Sequence, residues 1–207
     1  MPSPSADRLV WIDCEMTGLD PDKDELVEVA IIVTDYELNA VHPGWSAVIA
    51  PSAEALSGMG DFVRAMHTES GLLDDLAGGL PLATAQELAM GYLREHAPTP
   101  QASPLAGNSV GTDRVFLQKY MPEVAGHLHY RNVDVSSIKE LVKHWLPPVY
   151  FHAPDKSGGH RALADIQESI RELRYYRLAA LREAPPGSSD DLKAIAAALG
   201  SGDEGGL

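Results

Sequence analysis

Four carboxylates and one histidine lie in three short, widely separated motifs. Asp13 and Glu15 belong to the first motif, Asp113 to the second, and His160 and Asp165 to the third. Carboxylates gathered from distant parts of a chain repel one another unless cations neutralise them, so the set indicates a divalent-metal site. Two such ions can clamp the attacking and leaving oxygens of a phosphodiester displacement, and a histidine can accept a proton from the attacking water. The pattern predicts metal-dependent phosphodiester hydrolysis.

The composition sets limits on this hypothesis. A chain of 207 residues with 44% apolar content is long enough for one domain with a substantial core. The sequence contains no apolar run long enough to span a membrane, and its first residues lack the features of a signal peptide. A single cysteine excludes an intrachain disulfide framework. These features together predict a cytoplasmic protein that does not enter a membrane.

The net charge disfavours a protein that grips long nucleic acid. Only 16 basic residues oppose 30 acidic ones, for a formal charge of −14, whereas affinity for a polymeric backbone comes largely from Lys and Arg. A nucleic-acid substrate should therefore be very short and held by a few placed contacts. The alternative is that the charge mostly serves solubility, as it does in many acidic proteins.

The order of predicted elements indicates an α/β fold. Strands are predicted at 9–13, 25–36 and 41–49, a helical region at 58–96, and then alternating strands and helices that end in a long helix at 161–183. This order predicts a mixed central β-sheet flanked by helices. We expect a flexible N-terminus at 1–8, one catalytic domain at 9–183 and a disordered tail at 184–207, with a short helix near 190–199.

Each candidate residue also has an ordinary interpretation. Asp13 and Glu15 are two apart on a predicted strand and so share a face, with Cys14 on the other, but an Asp-x-Glu pair alone is weak evidence. Asp113 and Asp165 are predicted near helix starts, where the dipole favours a carboxylate anyway. A lone histidine such as His160 is usually a surface residue. The combination is therefore much more specific than any member.

Longer segments around these residues resemble a known family. They are Trp11–Leu19, His67–Gly71, Ala106–Val110, Tyr130–Ser136 and His160–Asp165. The chain is similar to the histidine-bearing branch of the DEDD exonuclease superfamily and, within it, to the oligoribonuclease family. The tyrosine-bearing branch would place Tyr four residues before the last Asp, where this chain has Arg161. The resemblance covers 9–183 and leaves the tail unexplained.

The resemblance implies an RNase H-like exonuclease fold, a homodimer and 3′-to-5′ release of mononucleotides from very short RNA, dinucleotides above all. Two Mg²⁺ or Mn²⁺ ions per active site would be held by the four carboxylates, with His160 as the general base. By position, the residues that would contact the substrate are Leu19, Phe62, His67, Asn108, Ser109, Tyr130, Arg131, Ser136 and Ser137.

The resemblance also assigns roles to these contacts. Leu19 and Phe62 would wedge against the bases, although many members of the family carry Trp at the position of Phe62, which predicts weaker stacking here. His67 would lie near the scissile phosphate. The serines would contact the terminal 5′ phosphate, and Tyr130 with Arg131 would reach in from the partner subunit. Considered alone, Phe62 has a core interpretation, and Arg131 that of a surface salt-bridge partner.

Two rival functions remain open at the level of sequence. One is another exonuclease of the same branch, such as a proofreading subunit or a tRNA-trimming nuclease, which the acidic charge disfavours. The other is a catalytically inactive dinucleotide sensor, which the presence of all four carboxylates and the histidine disfavours.

Overall fold

The structure, a computed structural model, describes residues 7–155, 159–181 and 188–200. Five strands and ten α-helices form in these ranges. The strands are β1 (Leu9–Met16), β2 (Leu26–Thr34), β3 (Trp45–Val48), β4 (Pro104–Gly107) and β5 (His129–Asp134). The helices before β5 are α1 (Ala53–Gly58), α2 (Asp61–Glu69), α3 (Leu72–Asp75), α4 (Leu82–His96), α5 (Gly111–Tyr120) and α6 (Pro122–His127), with a 3-10 turn at Leu76–Gly78. After β5 come α7 (Val135–Trp145), α8 (Pro147–Phe151), α9 (Ala162–Ala179) and α10 (Ser189–Gly200).

The strands form one mixed sheet in the order β3-β2-β1-β4-β5. The first three strands are antiparallel neighbours, whereas β4 pairs parallel to β1 and β5 pairs parallel to β4. Parallel neighbours require crossover connections, and the segments containing α4 and α5–α6 supply them. The predicted α/β class with a mixed central sheet is confirmed.

Helices cover both faces of the sheet, so its central strands are largely buried. All nine residues of β2 are buried. On β1, Val10, Ile12 and Cys14 point into the core shared with α4 and α5, while Leu9 and Trp11 point into the core shared with α9. The indole of Trp11 donates to Thr34 Oγ1 at 3.0 Å, which satisfies its buried N–H. The period-two alternation therefore decides which side chains of β1 face α9.

Three predicted elements differ from the structure. The third strand is shorter than 41–49, because Pro43 has no N–H to donate and Gly44 adopts a φ of +118°. A Cβ at Gly44 would lie 2.8 Å from Leu163 Cδ1. The helical region at 58–96 is divided at Gly71, where φ is +75°, and again before Pro81. The last long helix ends at Ala179 rather than at 183, and residues 182–187 lie outside the described ranges.

The ends of the chain are described in part. Residues 1–6 and 201–207 lie outside the described ranges, so the predicted flexible N-terminus and disordered tail stay predictions. Helix α10 occupies the stretch where a short helix was expected. None of the helices in the described ranges combines the length and apolar character needed to cross a bilayer.

Candidate active site

Asp13 and Glu15 project from the end of β1 toward the side of the sheet that α9 covers. They alternate with Cys14, which is buried in the core on the opposite face. Since β1 lies between β2 and β4, both carboxylates sit at the middle of the sheet rather than at an edge. Two acids on one face of a central strand form the base of the site.

Asp113 reaches the same strand from helix α5. It lies in the first turn of that helix and is buried, and its Oδ1 accepts a hydrogen bond of 2.9 Å from the backbone N–H of Cys14. That amide belongs to the residue between Asp13 and Glu15, so the bond locks the third carboxylate beside the first two.

Asp165 is carried by α9, and His160 by the segment just before that helix. Asp165 lies in the first turn of α9, and His160 lies in the exposed segment before the helix, with a φ of +44°. One ligand atom each from Glu15, His160 and Asp165 lies within 4.8 Å of the other two. The structure therefore brings together the acidic residues and the histidine that the sequence singled out.

The carboxylates are costly to ionise in this arrangement. Burial, followed by repulsion from Asp113, Glu15 and Asp165, raises the pKa of Asp13 well above its ordinary value. Burial and repulsion from Asp165 raise the pKa of Glu15 to about 8. Burial raises the pKa of Asp113 to about 6, against the opposing effect of the Cys14 amide bond. A divalent cation would relieve this repulsion, and a set of carboxylate oxygens fits a hard cation. The donor set thus suits the predicted metals.

His67 presents an unused ring nitrogen next to Glu15. The ring is fully buried, and its Nε2 donates to the carbonyl oxygen of Met16 at 2.9 Å. Its Nδ1 lies 4.0 Å from Glu15 Oε2 and has no hydrogen-bond partner within the part of the chain that the structure describes. A buried polar atom without a partner is rare and suggests that a ligand completes it.

Leu19 and Phe62 are large apolar side chains exposed to solvent. Phe62 is 81% exposed and Leu19 is 76% exposed, so the core interpretation of Phe62 is wrong. Leu19 lies three residues after the end of β1, and Phe62 lies on α2, the helix whose His67 contacts Met16 at the end of β1. Both are therefore carried by segments that meet where the carboxylates are.

A group of hydroxyls lies at the ends of β4 and β5. Ser136 Oγ donates to Asn108 Oδ1 at 2.9 Å and lies 3.1 Å from Ser109 Oγ. Asp134 Oδ1 accepts from the backbone N–H groups of Ser109 and Ser136, at 2.9 Å each. Because β4 and β5 are parallel, their carboxyl ends meet, which explains why residues distant in sequence share this cluster. Ser137 is exposed beside it on α7.

Tyr130 and Arg131 lie on β5, at the edge of the sheet. Tyr130 is 75% exposed. Arg131 Nε donates to the Tyr130 hydroxyl at 3.1 Å, and the guanidinium carbon lies 5.5 Å from the ring centroid. β4 separates β5 from β1, so in the sheet these two residues are two strands away from Asp13 and Glu15. Both therefore lie at the edge of the sheet, away from the carboxylates.

Sequence reasoning missed Glu28 and Glu172, two buried acidic residues beside this site. Glu28 lies directly opposite Glu15 in the register of β1 and β2, and Glu172 accepts from Asn108 Nδ2 at 3.2 Å. Glu28 had a signal in the sequence, because it is a charged residue within an otherwise apolar strand. Glu172 had none, since a glutamate in a polar helix is ordinary.

Comparison with known proteins places the chain in a class. The family model described as RNase_T: Exonuclease matches residues 10–173. Among solved structures, exonuclease I from Methylocaldum szegediense superimposes with a TM-score of 0.59 at 19% identity. E. coli exonuclease I in complex with single-stranded DNA superimposes with a TM-score of 0.64 at 16% identity. Each match covers 85% of this chain but only 41% of the longer exonuclease I chain, and at this identity it shows the fold alone. Fold and family model together define an exonuclease with the RNase H-like fold.

Relatives with higher sequence identity show which family of exonucleases the chain is in. The chain is 58% identical over 195 residues to the oligoribonuclease of Leifsonia xyli, a match that covers 94% of each chain. It is 57% identical to the oligoribonuclease of Streptomyces griseus, covering 93% of this chain and 96% of the relative. The chain belongs to the oligoribonuclease family.

Proposed function

We propose that this protein is a 3′-to-5′ exoribonuclease that hydrolyses very short RNA, dinucleotides above all, to mononucleotides. The observation that carries the proposal is the convergence of carboxylates from β1, α5 and α9 with His160 at one end of the sheet. The names of the relatives support the choice of short RNA as substrate.

Asp13, Glu15, Asp113 and Asp165 would hold two divalent cations, Mg²⁺ or Mn²⁺. When bound, the ions would supply charge stabilisation for the attacking and leaving oxygens of the phosphodiester. The buried carboxylates fix where that stabilisation acts, because β1 and the Cys14 amide leave the side chains little freedom. Preorganised charge of this kind contributes much of the catalysis in phosphoryl chemistry.

His160 would act as the general base. Its exposed position before α9 leaves it open to water, and its ligand atom lies within 4.8 Å of those of Glu15 and Asp165. The neutral imidazole would take a proton from the attacking water as the new O–P bond forms and the bond from phosphorus to the 3′ oxygen breaks. The released nucleotide would carry the phosphate at its 5′ position, and the leaving 3′ oxygen would take a proton from solvent.

Base binding would use the two exposed apolar side chains. Leu19 and Phe62 offer a stacking surface that does not depend on base identity. The Nδ1 of His67 lies 4.0 Å from Glu15 Oε2, and the family resemblance would place this residue near the scissile phosphate. A phenylalanine at position 62 stacks over less area than the tryptophan that the family resemblance implies there, so base binding should be weaker.

Length selection would come from a cap on the terminal 5′ phosphate. We assign the cap to Ser109 and Ser136, with Asn108 and Ser137 beside them, and to Tyr130 and Arg131 of the partner subunit in a homodimer. A bidentate guanidinium suits a terminal phosphate, and the exposure of Tyr130 on an edge strand supports a role across an interface. The net charge of −14 also fits a short substrate better than a long one. The cytoplasm stays our predicted location, from the cysteine content.

A cleavage time course across RNA lengths tests the proposal. We expect a 5′-phosphorylated dinucleotide to be hydrolysed faster than a seven- or twenty-nucleotide RNA, and chelator to stop all turnover. Faster cleavage of the longest RNA would favour a trimming or proofreading exonuclease. Tight dinucleotide binding without hydrolysis in added Mn²⁺ would favour the sensor.

The dimeric cap has a separate test. Arg131→Ala should slow dinucleotide cleavage much more than cleavage of a seven-nucleotide RNA. When Arg131→Ala is mixed with inactive Asp13→Ala protein, heterodimers pair an intact carboxylate set with an intact partner arginine, so dinucleotide activity should partly return. No recovery despite demonstrated subunit exchange would place Arg131 outside the partner's cap.

A further inference from the structure

The side chain of Arg161 connects three segments of the chain at or next to the active site. Arg161 follows His160 directly and occupies the N-cap position of α9. Its Nε lies 3.2 Å and 3.3 Å from the two carboxylate oxygens of Glu28, and its Nη2 lies 3.1 Å from Oε1 of the same residue. Its Nη1 donates to Asp75 Oδ2 at 3.0 Å. The guanidinium therefore joins the segment that carries His160 to β2 and to α3.

Glu28 makes the first of these connections a rigid one. It is buried on β2, directly opposite Glu15 in the register, and directly opposite residues of an antiparallel pair share a face. The same carboxylate accepts from the backbone N–H of Ala162 at 3.1 Å. Side chain and backbone at the start of α9 are thus both fixed to a strand of the central sheet, one and two residues after His160.

Asp75 makes the second connection, to the segment that carries the base-binding residue. It ends α3, which packs directly against α2, and α2 holds Phe62 and His67. The contact is half-exposed, so alone it adds little stability. The contact matters for geometry, because the planar guanidinium of Arg161 can bind Glu28 and Asp75 at once, whereas a lysine ammonium cannot.

We propose that Arg161 is a positioning residue, which fixes the place and direction in which His160 enters the active site. The proposal rests on the role of His160 given above. His160 has an unusual backbone conformation, with a φ of +44°, and the residue after it is the one anchored to the sheet. Without that anchor the segment is free to relax toward an ordinary φ, which would swing the imidazole away from Glu15 and Asp165.

The test is a double-mutant cycle between Arg161 and His160. Arg161→Gln should lower kcat on a dinucleotide by roughly tenfold to a hundredfold, with KM nearly unchanged, because a small misplacement of a catalytic group has effects of that size. In the His160→Asn background the same change should lower kcat by less than about twofold, since a side chain that is absent cannot be misplaced. Arg161→Lys should recover only part of the loss. Arg177→Gln is the matched control, because Arg177 pairs with Glu37 at the other end of α9.

A second measurement separates positioning from charge. In the metal-free protein, the imidazole resonances of His160, assigned through His160→Asn, should change in Arg161→Gln and also in the charge-conserving Arg161→Lys, and stay unchanged in Arg177→Gln. If Arg161→Gln does not fold, Asp75→Asn replaces it, with the adjacent exposed Asp74→Asn as control, and it should produce a smaller loss of kcat in the same direction.

Several results would overturn the inference. Equal losses in the two backgrounds would mean that Arg161 acts independently of His160. Full recovery at high Mn²⁺, or full rescue by Arg161→Lys, would mean that its charge supports metal binding instead. If His160→Asn itself keeps full activity, the proposed base is wrong, which is a different failure from one confined to Arg161.

Discussion

Replacing Glu15 with Gln should make the metal-free protein more stable at neutral pH. Burial and the neighbouring carboxylates raise the pKa of Glu15 from 4.5 to about 8. Between these values the folded protein binds a proton that the unfolded chain does not, so stability falls as the pH rises through this window. A neutral glutamine occupies the same place without that cost.

The size of the effect follows from the shift. One pKa unit corresponds to about 1.4 kcal/mol, so the cost of Glu15 is about 3 kcal/mol at pH 7 and about 1 kcal/mol at pH 5. For a domain of this length, the larger figure corresponds to a gain of roughly 6 °C or more in Tm. Thermal unfolding in chelator, followed by circular dichroism from pH 5 to pH 8, measures both the gain and its pH dependence.

Metal should cancel most of this difference in stability at neutral pH. Saturating Mn²⁺ stabilises the wild type by about 2.7 kcal/mol at a hundredfold excess over Kd, whereas a variant with a lost ligand gains little. Glu87→Gln, at an exposed position on α4, is the control and should change neither curve. The reasoning is refuted if Glu15→Gln is no more stable than wild type at pH 7 in chelator, or if its advantage is as large at pH 5.

Substitutions at three further positions test other parts of the molecule. His160→Asn should lower kcat by about a hundredfold or more while the Mn²⁺ requirement and KM stay near wild type. Steady-state kinetics over a range of Mn²⁺ concentrations check this, and full recovery of kcat at high Mn²⁺ would make His160 a ligand. Phe62→Ala should raise the KM for the dinucleotide by roughly fivefold or more with little change in kcat, and Phe62→Trp should lower this KM, because base stacking is worth about 1–3 kcal/mol. An unchanged KM in both variants would remove Phe62 from the base site. Phe116→Ala should cost about 3–5 kcal/mol of unfolding free energy in urea titrations, because the ring is fully buried in the core beneath β1; a loss below about 1 kcal/mol would show that the core there can close around the cavity.

The parts of the fold and site that follow local periodicity could be predicted from the sequence. Asp13 and Glu15 share a face because strand side chains alternate, and Asp113 and Asp165 lie in first helical turns that their flanking residues signal. Pro43 and Gly44 shorten the third strand through local chemistry that the apolar pattern of that segment concealed.

Contacts across the sheet could not be predicted in this way. The hydrogen bond from the Cys14 amide to Asp113 joins β1 to α5. The contacts between the Arg161 guanidinium and Glu28 depend on the strand register that sets Glu28 opposite Glu15. Periodicity within one element carries no information about its neighbour. The family resemblance supplied the grouping of the site residues, but it did not identify the buried partners that hold them.

The placement of the carboxylates also determines when the protein can become a nuclease during its own folding. Asp13 comes from the first strand and Asp165 from α9, the last helix packed on the sheet in the described part of the domain. Contacts between such distant segments form late, because the intervening chain must be ordered first. A nascent chain, or one cut before α9, lacks both the fourth carboxylate and His160. RNA near the site of synthesis is therefore exposed to a complete catalytic centre only once the domain has closed.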